Sequence, residues 1–195
     1  LDKATWEATS DDVVEFMLDS LRQLPAETQK VLQLAACIGN SFTLQTLATI
    51  HNHSQADTAQ ALVPALQQYT VLPLHNDYRL ATQQQKNPDF NPDYRFQHDR
   101  VQQAAYHLID SKELPRVHLV IGRLMLRQAR QQVADEQLIE IVNHLNQGRS
   151  LITDAAERKQ LAELNLRSGY RARQASAYEQ ALGYLQVVEE LLPAE

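Results

Sequence analysis

The chain has 195 residues, a net charge of −6, an apolar fraction of 44% and one cysteine. It is long enough for one large domain or two small ones, cannot close an internal disulfide, and has no excess of positive charge for a polyanion. No apolar run approaches the ~18 residues of a membrane helix.

Five glycines against abundant Ala, Leu and Gln favour helix, because Ala and straight-chain residues lose little entropy there. Cys37 lies in the apolar run Val31 to Cys37 and reads as a small buried hydrophobe in a reducing compartment. No signal peptide is visible, and the chain starts at Leu1 without Met, as expected of a piece of a larger cytoplasmic protein. Residues 1–10, with Trp6, read as a linker from an upstream domain. Asp12 with Glu15 resembles a capping box, and Phe16, Leu21 and Leu24 could share a buried face. Pro25 suits a first helical turn, and a helix over about 26–37 ends at Gly39. Asn40 to Thr43 reads as a short connection. Thr43 caps a helix through Ile50, and Ser54 with Asp57 opens another to about Gln68.

Thr70 to Leu74 and Tyr78 to Leu80 then flank His75-Asn76-Asp77, a hairpin pattern. The polar loop from Thr82 to Asp93 is the best candidate for disorder. Tyr94-Arg95-Phe96 returns as a strand, and His98-Asp99 opens a helix to Ile109. Helices are expected at about 113–132, 135–147, 155–174 and 177–192, the third capped by Asp154 with Glu157. Short connections make successive helices antiparallel.

The fold expected is mainly α. Helices followed by a hairpin and a further helix suggest a winged-helix domain over 11–110 with a small β-hairpin wing; the alternative is an unrelated α bundle with a surface hairpin. Residues 111–195 read as antiparallel helical hairpins of tetratricopeptide-like type, truncated. Residues 162–195 span one 34-residue unit. Gly169 falls at its tight helix contact, and Tyr178, Ala181, Leu182, Leu185 and Pro193 at second-helix positions and the exit. Asn165 stands where Trp is typical, and Ala172 where Tyr is typical. One repeat cannot bury its own face and must stack on others.

No glycine-rich phosphate loop, nucleophile elbow or nucleophile–base pair is found, so no catalytic residue, cofactor or enzyme activity is assigned to this segment. No metal site is assigned either: one cysteine excludes Cys-based zinc, and His51 with His53 reads as a solvated loop rather than a metal pair. His107, His118 and His144 read as packed or surface histidines. Ser54 to Gln68, where a recognition helix would lie, holds no Lys or Arg, so DNA binding is not expected. The basic strip Arg116, Arg123, Arg127 and Arg130 is partly a solvated face.

The most informative stretch is Tyr94 to Tyr106. A strand runs straight into a helix with His98 at the junction, and a helix N-terminus favours anions. His98 could therefore touch a phosphate from a neighbouring domain, or could cap the helix or pack beside Tyr94.

Leu24-Pro25 and the run Val31 to Phe42 resemble the segment after the nucleotide-binding core in large bacterial sensor proteins. There a protein-kinase-like domain, a STAND-class (AAA-like) ATPase, sensor domains and often a histidine kinase share one chain. Phe96-Gln97-His98-Asp99-Arg100-Val101-Gln102-Gln103-Ala104-Ala105-Tyr106 resembles their winged-helix signature. Asn143-His144-Leu145-Asn146 and Leu161 to Leu166 resemble the start of their helical repeats. The resemblance covers nearly the whole chain. It implies that the winged helix folds over a bound nucleotide, with ATP or ADP held by the upstream core of the parent protein, and that His98 matches a histidine approaching the ADP phosphates. Gln97 stands where the best-known version has a hydrophobic residue. It further implies repeats that engage protein partners, and a segment that couples nucleotide state to downstream kinase signalling. A protein-binding scaffold without nucleotide coupling, and a DNA-binding regulator, are the alternatives.

Overall fold

The computed structural model describes residues 17–75, 91–129 and 135–192. The chain divides into two compact units, Leu1–Asp110 and Ser111–Glu195. Among the described residues it is mainly helical, with one small antiparallel sheet. Trp6, the Asp12–Glu15 box, Phe16, the hairpin arm at 78–80, Arg130 and Pro193 lie outside the described residues.

The first unit contains α1, helical over 17–22, α2 (Ala26–Ile38), β1 (Ser41–Thr43), α3 (Leu44–His51), α4 (Gln55–Gln67), β2 (Val71–Pro73), β3 (Asp93–Phe96) and α5 (Asp99–His107). Pro25 lies just before α2 rather than inside its first turn, where its carbonyl accepts from the Gln29 N–H at 2.9 Å. Gly39, at φ 148°, turns the chain out of α2 in a backbone region that other residues rarely adopt.

Ser41–Thr43, read from sequence as a connection, is a strand. It pairs antiparallel with β3, as β2 does, giving the order β1-β3-β2. The reason is Phe42: its partner across the ladder is Tyr94, and the rings stack with centroids 5.8 Å apart. Three residues are too few to show a period of two, so the strand could not be read from pattern alone.

The end of the expected disordered loop is also tied down. The N-terminus of α3 has donors without partners inside the helix, and three of them are satisfied locally. Pro92 O accepts from Leu44 N at 2.9 Å, Asn91 Oδ1 from Gln45 N at 2.8 Å, and Thr43 Oγ1 from Thr46 N at 3.1 Å. Residues 91 and 92 therefore hold a helix cap and lead β3 into the sheet. The core gathers Val31, Leu32 and Ala35 of α2, Leu44 and Leu47 of α3, Leu62 of α4, and Phe42, Tyr94 and Phe96 of the sheet. Cys37 is buried, as its apolar neighbours suggest, and burial pushes its thiol up to about 12.

The second unit contains α6 (Leu114–Gln128), α7 (Asp135–Gln147), a 3-10 turn (Arg149–Leu151), α8 (Ala155–Gln174) and α9 (Tyr178–Leu191). Helix α6 packs on α7 and α8 on α9. Asp154 caps α8 by accepting from Glu157 N at 2.8 Å. Among the described glycines the tightest contacts are at Gly122 and Gly148. A Cβ on Gly122 would come within 2.8 Å of the Leu145 side chain, and one on Gly148 within 2.5 Å of Leu119 Cβ. Gly169, read as the tight contact, is packed less closely: a Cβ there would meet its neighbours at an ordinary 3.5 Å. Among the described residues no helix is long and apolar enough to cross a membrane.

Candidate functional site

The strand-to-helix junction is built from both sides. Strand β3 is the middle strand, and its ladder continues past its last residue: Phe96 N donates to Asn40 O at 2.9 Å and Gln97 N to Thr70 O at 3.1 Å. Alternation sends Tyr94 and Phe96 into the core and leaves Arg95 exposed. Helix α5 then buries Val101, Ala104 and Ala105. Two glutamines fasten it to α2: Gln102 Nε2 donates to Ala36 O at 3.1 Å, and Gln33 Nε2 to Leu108 O at 3.2 Å. The pairs 36–102 and 33–108 run in opposite order, so α5 lies antiparallel to α2.

This sorts the motif Phe96 to Tyr106 into two sets. Phe96, Val101, Gln102, Ala104 and Ala105 hold the junction in place, whereas Gln97, His98, Asp99 and Arg100 are exposed. His98 is the N-cap residue, in extended conformation, but its side chain makes no cap hydrogen bond. Its carbonyl oxygen serves the helix instead, accepting from Val101 N at 2.9 Å. The imidazole therefore stands in solvent at the positive end of α5. Asp99 brings a negative charge to the same turn and Arg100 a positive one.

The second unit centres on the run Asn143-His144-Leu145-Asn146, each residue of which engages a different neighbour. Asn143 Oδ1 accepts from the Tyr184 hydroxyl at 3.1 Å, joining α7 to α9. His144 Nδ1 lies 2.8 Å from His118 Nδ1, joining α7 to α6. Leu145 fills the space against Gly122. Asn146 and Asn165 exchange two amide hydrogen bonds of 2.8 Å each, and Asn165 Nδ2 also donates to Leu161 O at 2.9 Å. Asn165 is fully buried, so the residue that replaces the typical Trp acts as a satisfied polar lock between α7 and α8. Sequence reasoning noted the departure but not its partner, because the two asparagines are nineteen positions apart and no periodicity links them.

The histidines are not alike. His118 and His144 are both buried, and burial lowers both, His144 to about 4 with help from the neighbouring His118. His107 and His98 are exposed. His51 is buried and bonded on both nitrogens, which corrects the solvated-loop reading. Its burial follows from its place on the inner side of α3's last turn, one helical turn after Leu47.

The basic strip is partly paired and partly exposed, with Arg127 in solvent. Arg123 makes a bidentate pair with Glu157, both bonds 2.7 Å, so that carboxylate is taken up by α6. Arg116 lies 3.7 Å from Glu113. A cavity of about 330 Å³ lined by Arg149, Arg158 and Glu190 is a helix clasp. Arg149 holds Glu190 at 2.7 Å, and Arg158 donates to the Glu190 and Leu191 carbonyls at the end of α9, where cations stabilise a helix.

Compared with known proteins, the chain is similar to a hybrid signal transduction histidine kinase, kinase G of Dictyostelium discoideum. The two are 31% identical over 231 aligned positions, covering 95% of this chain and 6% of the kinase. The chain thus spans a small fraction of the relative's length and is related to one region of it. No family model matches the chain, and no solved structure matches it.

Proposed function

We propose that this chain is a non-catalytic regulatory module of a signal-transduction protein. In this reading the first unit is a winged helix that follows a STAND/AAA-type ATPase core, and the second begins a tetratricopeptide-like repeat region. The module couples the ATP or ADP state of the core to downstream kinase domains of the same cytoplasmic parent. The observation that carries the reading is the similarity to a histidine kinase along nearly the whole chain. It extends the resemblance beyond bacterial sensor proteins.

Two structural features support the finer reading. The order helix, strand, helix, helix, strand, strand with sheet order β1-β3-β2 is what a winged helix requires. On α9, Tyr178, Leu182 and Leu185 are exposed at i, i+4 and i+7, and on α8 Leu166 and Tyr170 are exposed as well. An apolar stripe at helical spacing suits stacking by a further repeat or a protein partner. Helix α4, Gln55–Gln67, carries no Lys or Arg, which speaks against DNA as the partner.

His98 is the residue assigned to the nucleotide phosphates. Its exposed imidazole beside the N–H groups of α5 suits an anion brought by the ATPase core. The test is ADP affinity of the protein with its nucleotide core present, with His98 intact and with His98→Ala. Loss of a hydrogen bond to a charged group costs about 1.5–3 kcal/mol, or roughly ten- to hundredfold in affinity. Unchanged tight binding rejects His98 as the contact. No nucleotide binding in either form rejects the ATPase coupling and leaves a protein-binding scaffold.

A further inference from the structure

We infer that Glu27, His51 and His53 form a binding site for one divalent transition-metal ion of the zinc type. The inference is independent of the function proposed above. The three side chains come from the first turn of α2, the last residue of α3 and the turn that follows. One potential ligand atom from each lies within 4.8 Å of the others.

The backbone brings the two histidines together. Asn52 adopts a left-handed conformation with φ 58°, and His53 N then donates back to Ala48 O at 3.2 Å. This fold-back stacks the rings with centroids 4.0 Å apart. It is a chain reversal that places both histidines on the side of Glu27.

The outer hydrogen bonds are those a metal site needs. A ligating histidine usually gives its second nitrogen to a protein oxygen, which fixes the ring and its tautomer. His53 Nδ1 lies 2.7 Å from the His51 carbonyl. A carbonyl only accepts, so this nitrogen carries the proton and Nε2 holds the lone pair. His51 Nδ1 lies 3.1 Å from Thr58 Oγ1, and its Nε2 lies 3.0 Å from Glu27 Oε1. Without metal, Nε2–H donates to the carboxylate and Nδ1 accepts from the Thr58 hydroxyl. With metal, the hydroxyl rotates and accepts from Nδ1–H, freeing the Nε2 lone pair. A hydroxyl serves both tautomers because it is donor and acceptor at once.

The three ligand atoms lie within 4.8 Å of one another and must draw in to close on an ion, the exposed His53 ring turning out of its stack on His51 so that its in-plane lone pair faces the ion. Ligands about 2.0–2.2 Å from a tetrahedral zinc stand roughly 3.3–3.6 Å apart. The 3.0 Å His51–Glu27 pair opens to that spacing by a small movement of Glu27, whose side chain is exposed. His51 is buried and supplies the fixed ligand. Two imidazoles and a carboxylate suit zinc, with a fourth position left to water. Lys30 is the opposing group: its charge acts on both Glu27 and His51, and a bound cation would feel its repulsion. The ion would clip the start of α2 to the α3–α4 turn.

The test is zinc titration of the whole chain by calorimetry, with cobalt absorption as the geometric readout. One Zn²⁺ per chain is expected, with a rise in melting temperature and a tetrahedral cobalt spectrum. Glu27→Gln and His53→Gln replace exposed side chains and keep the fold, checked by circular dichroism. Each should weaken zinc by roughly tenfold or more, and Lys30→Gln should tighten it. Absence of saturable uptake overturns the inference. So does uptake that neither Glu27→Gln nor His53→Gln changes, which would place the ion on other histidines.

Discussion

Mild acid should destabilise the second unit through its buried histidine pair. His118 and His144 face each other at 2.8 Å between their Nδ1 atoms, so one must donate and the other accept. A second proton would put hydrogens on both facing nitrogens, and a first proton must enter a desolvated site. Both effects hold the pair below the ordinary value of 6.5, His144 at about 4. In the unfolded chain the same imidazoles titrate near 6.5. Below that pH the unfolded state binds protons that the folded state refuses, so stability falls as pH falls. No loss accrues above about 6.5, and the loss saturates below the folded value. For His144 alone the linkage gives about 2 kcal/mol at about pH 5 and about 3 kcal/mol when saturated. His118 adds in the same direction.

The assay is urea denaturation of the chain between about pH 7.5 and 4.5, followed by circular dichroism, beside the variant His118→Leu/His144→Leu. Replacing both partners by apolar groups of similar size removes the titration and both facing nitrogens together. The difference between the two proteins isolates the pair from carboxylates that titrate in both. The native chain should lose about 2 kcal/mol more than the variant on going to about pH 5. Equal losses would refute the argument, since the pair would then not be resisting protonation.

Two further predictions concern the helix contacts of the same unit. Gly148→Ala should cost about 1–3 kcal/mol in denaturant unfolding. The new Cβ would meet Leu119 Cβ at 2.5 Å and the Pro115 carbonyl at 2.6 Å, atoms that cannot rotate away, and φ of −97° excludes backbone strain as the cause. Asn165→Ala should cost about 1–3 kcal/mol, because Asn146 and the Leu161 carbonyl lose a buried partner. The double change Asn146→Leu/Asn165→Leu should recover part of that loss, whereas an equal or larger loss would count against the paired-amide account.

What the sequence made legible followed from local chemistry. Thr43, Ser54 and Asp154 cap helices as read, because an N-cap needs only one side-chain oxygen and the N–H two or three residues on. At Ser54 the acid of the expected box turns to the hydroxyl, Ser54 Oγ to Asp57 Oδ2 at 2.6 Å. At Asp154 the acid is drawn away by Arg123. Helices 135–147 and 155–174 match their expected spans, since long apolar periods survive tertiary context. Strand β1 did not show itself, because its identity depends on Tyr94, some fifty residues away. The same holds for the site chemistry. The exposed setting of His98 agrees with its junction position, but the burial of His51 and its approach to Glu27 depend on packing between α2 and α3. His51-Asn52-His53 carried the signal, and Asn, which tolerates the left-handed conformation, was its clue.

The central claim is that the β3–α5 junction responds to nucleotide state. Hydrogen exchange of the parent protein, with no nucleotide, with ADP and with a non-hydrolysable ATP analogue, tests it most directly. The account predicts that the amides just after His98 exchange more slowly with ADP than with the analogue, as phosphate engages the start of α5. Identical exchange over residues 97–103 in all three states would contradict it.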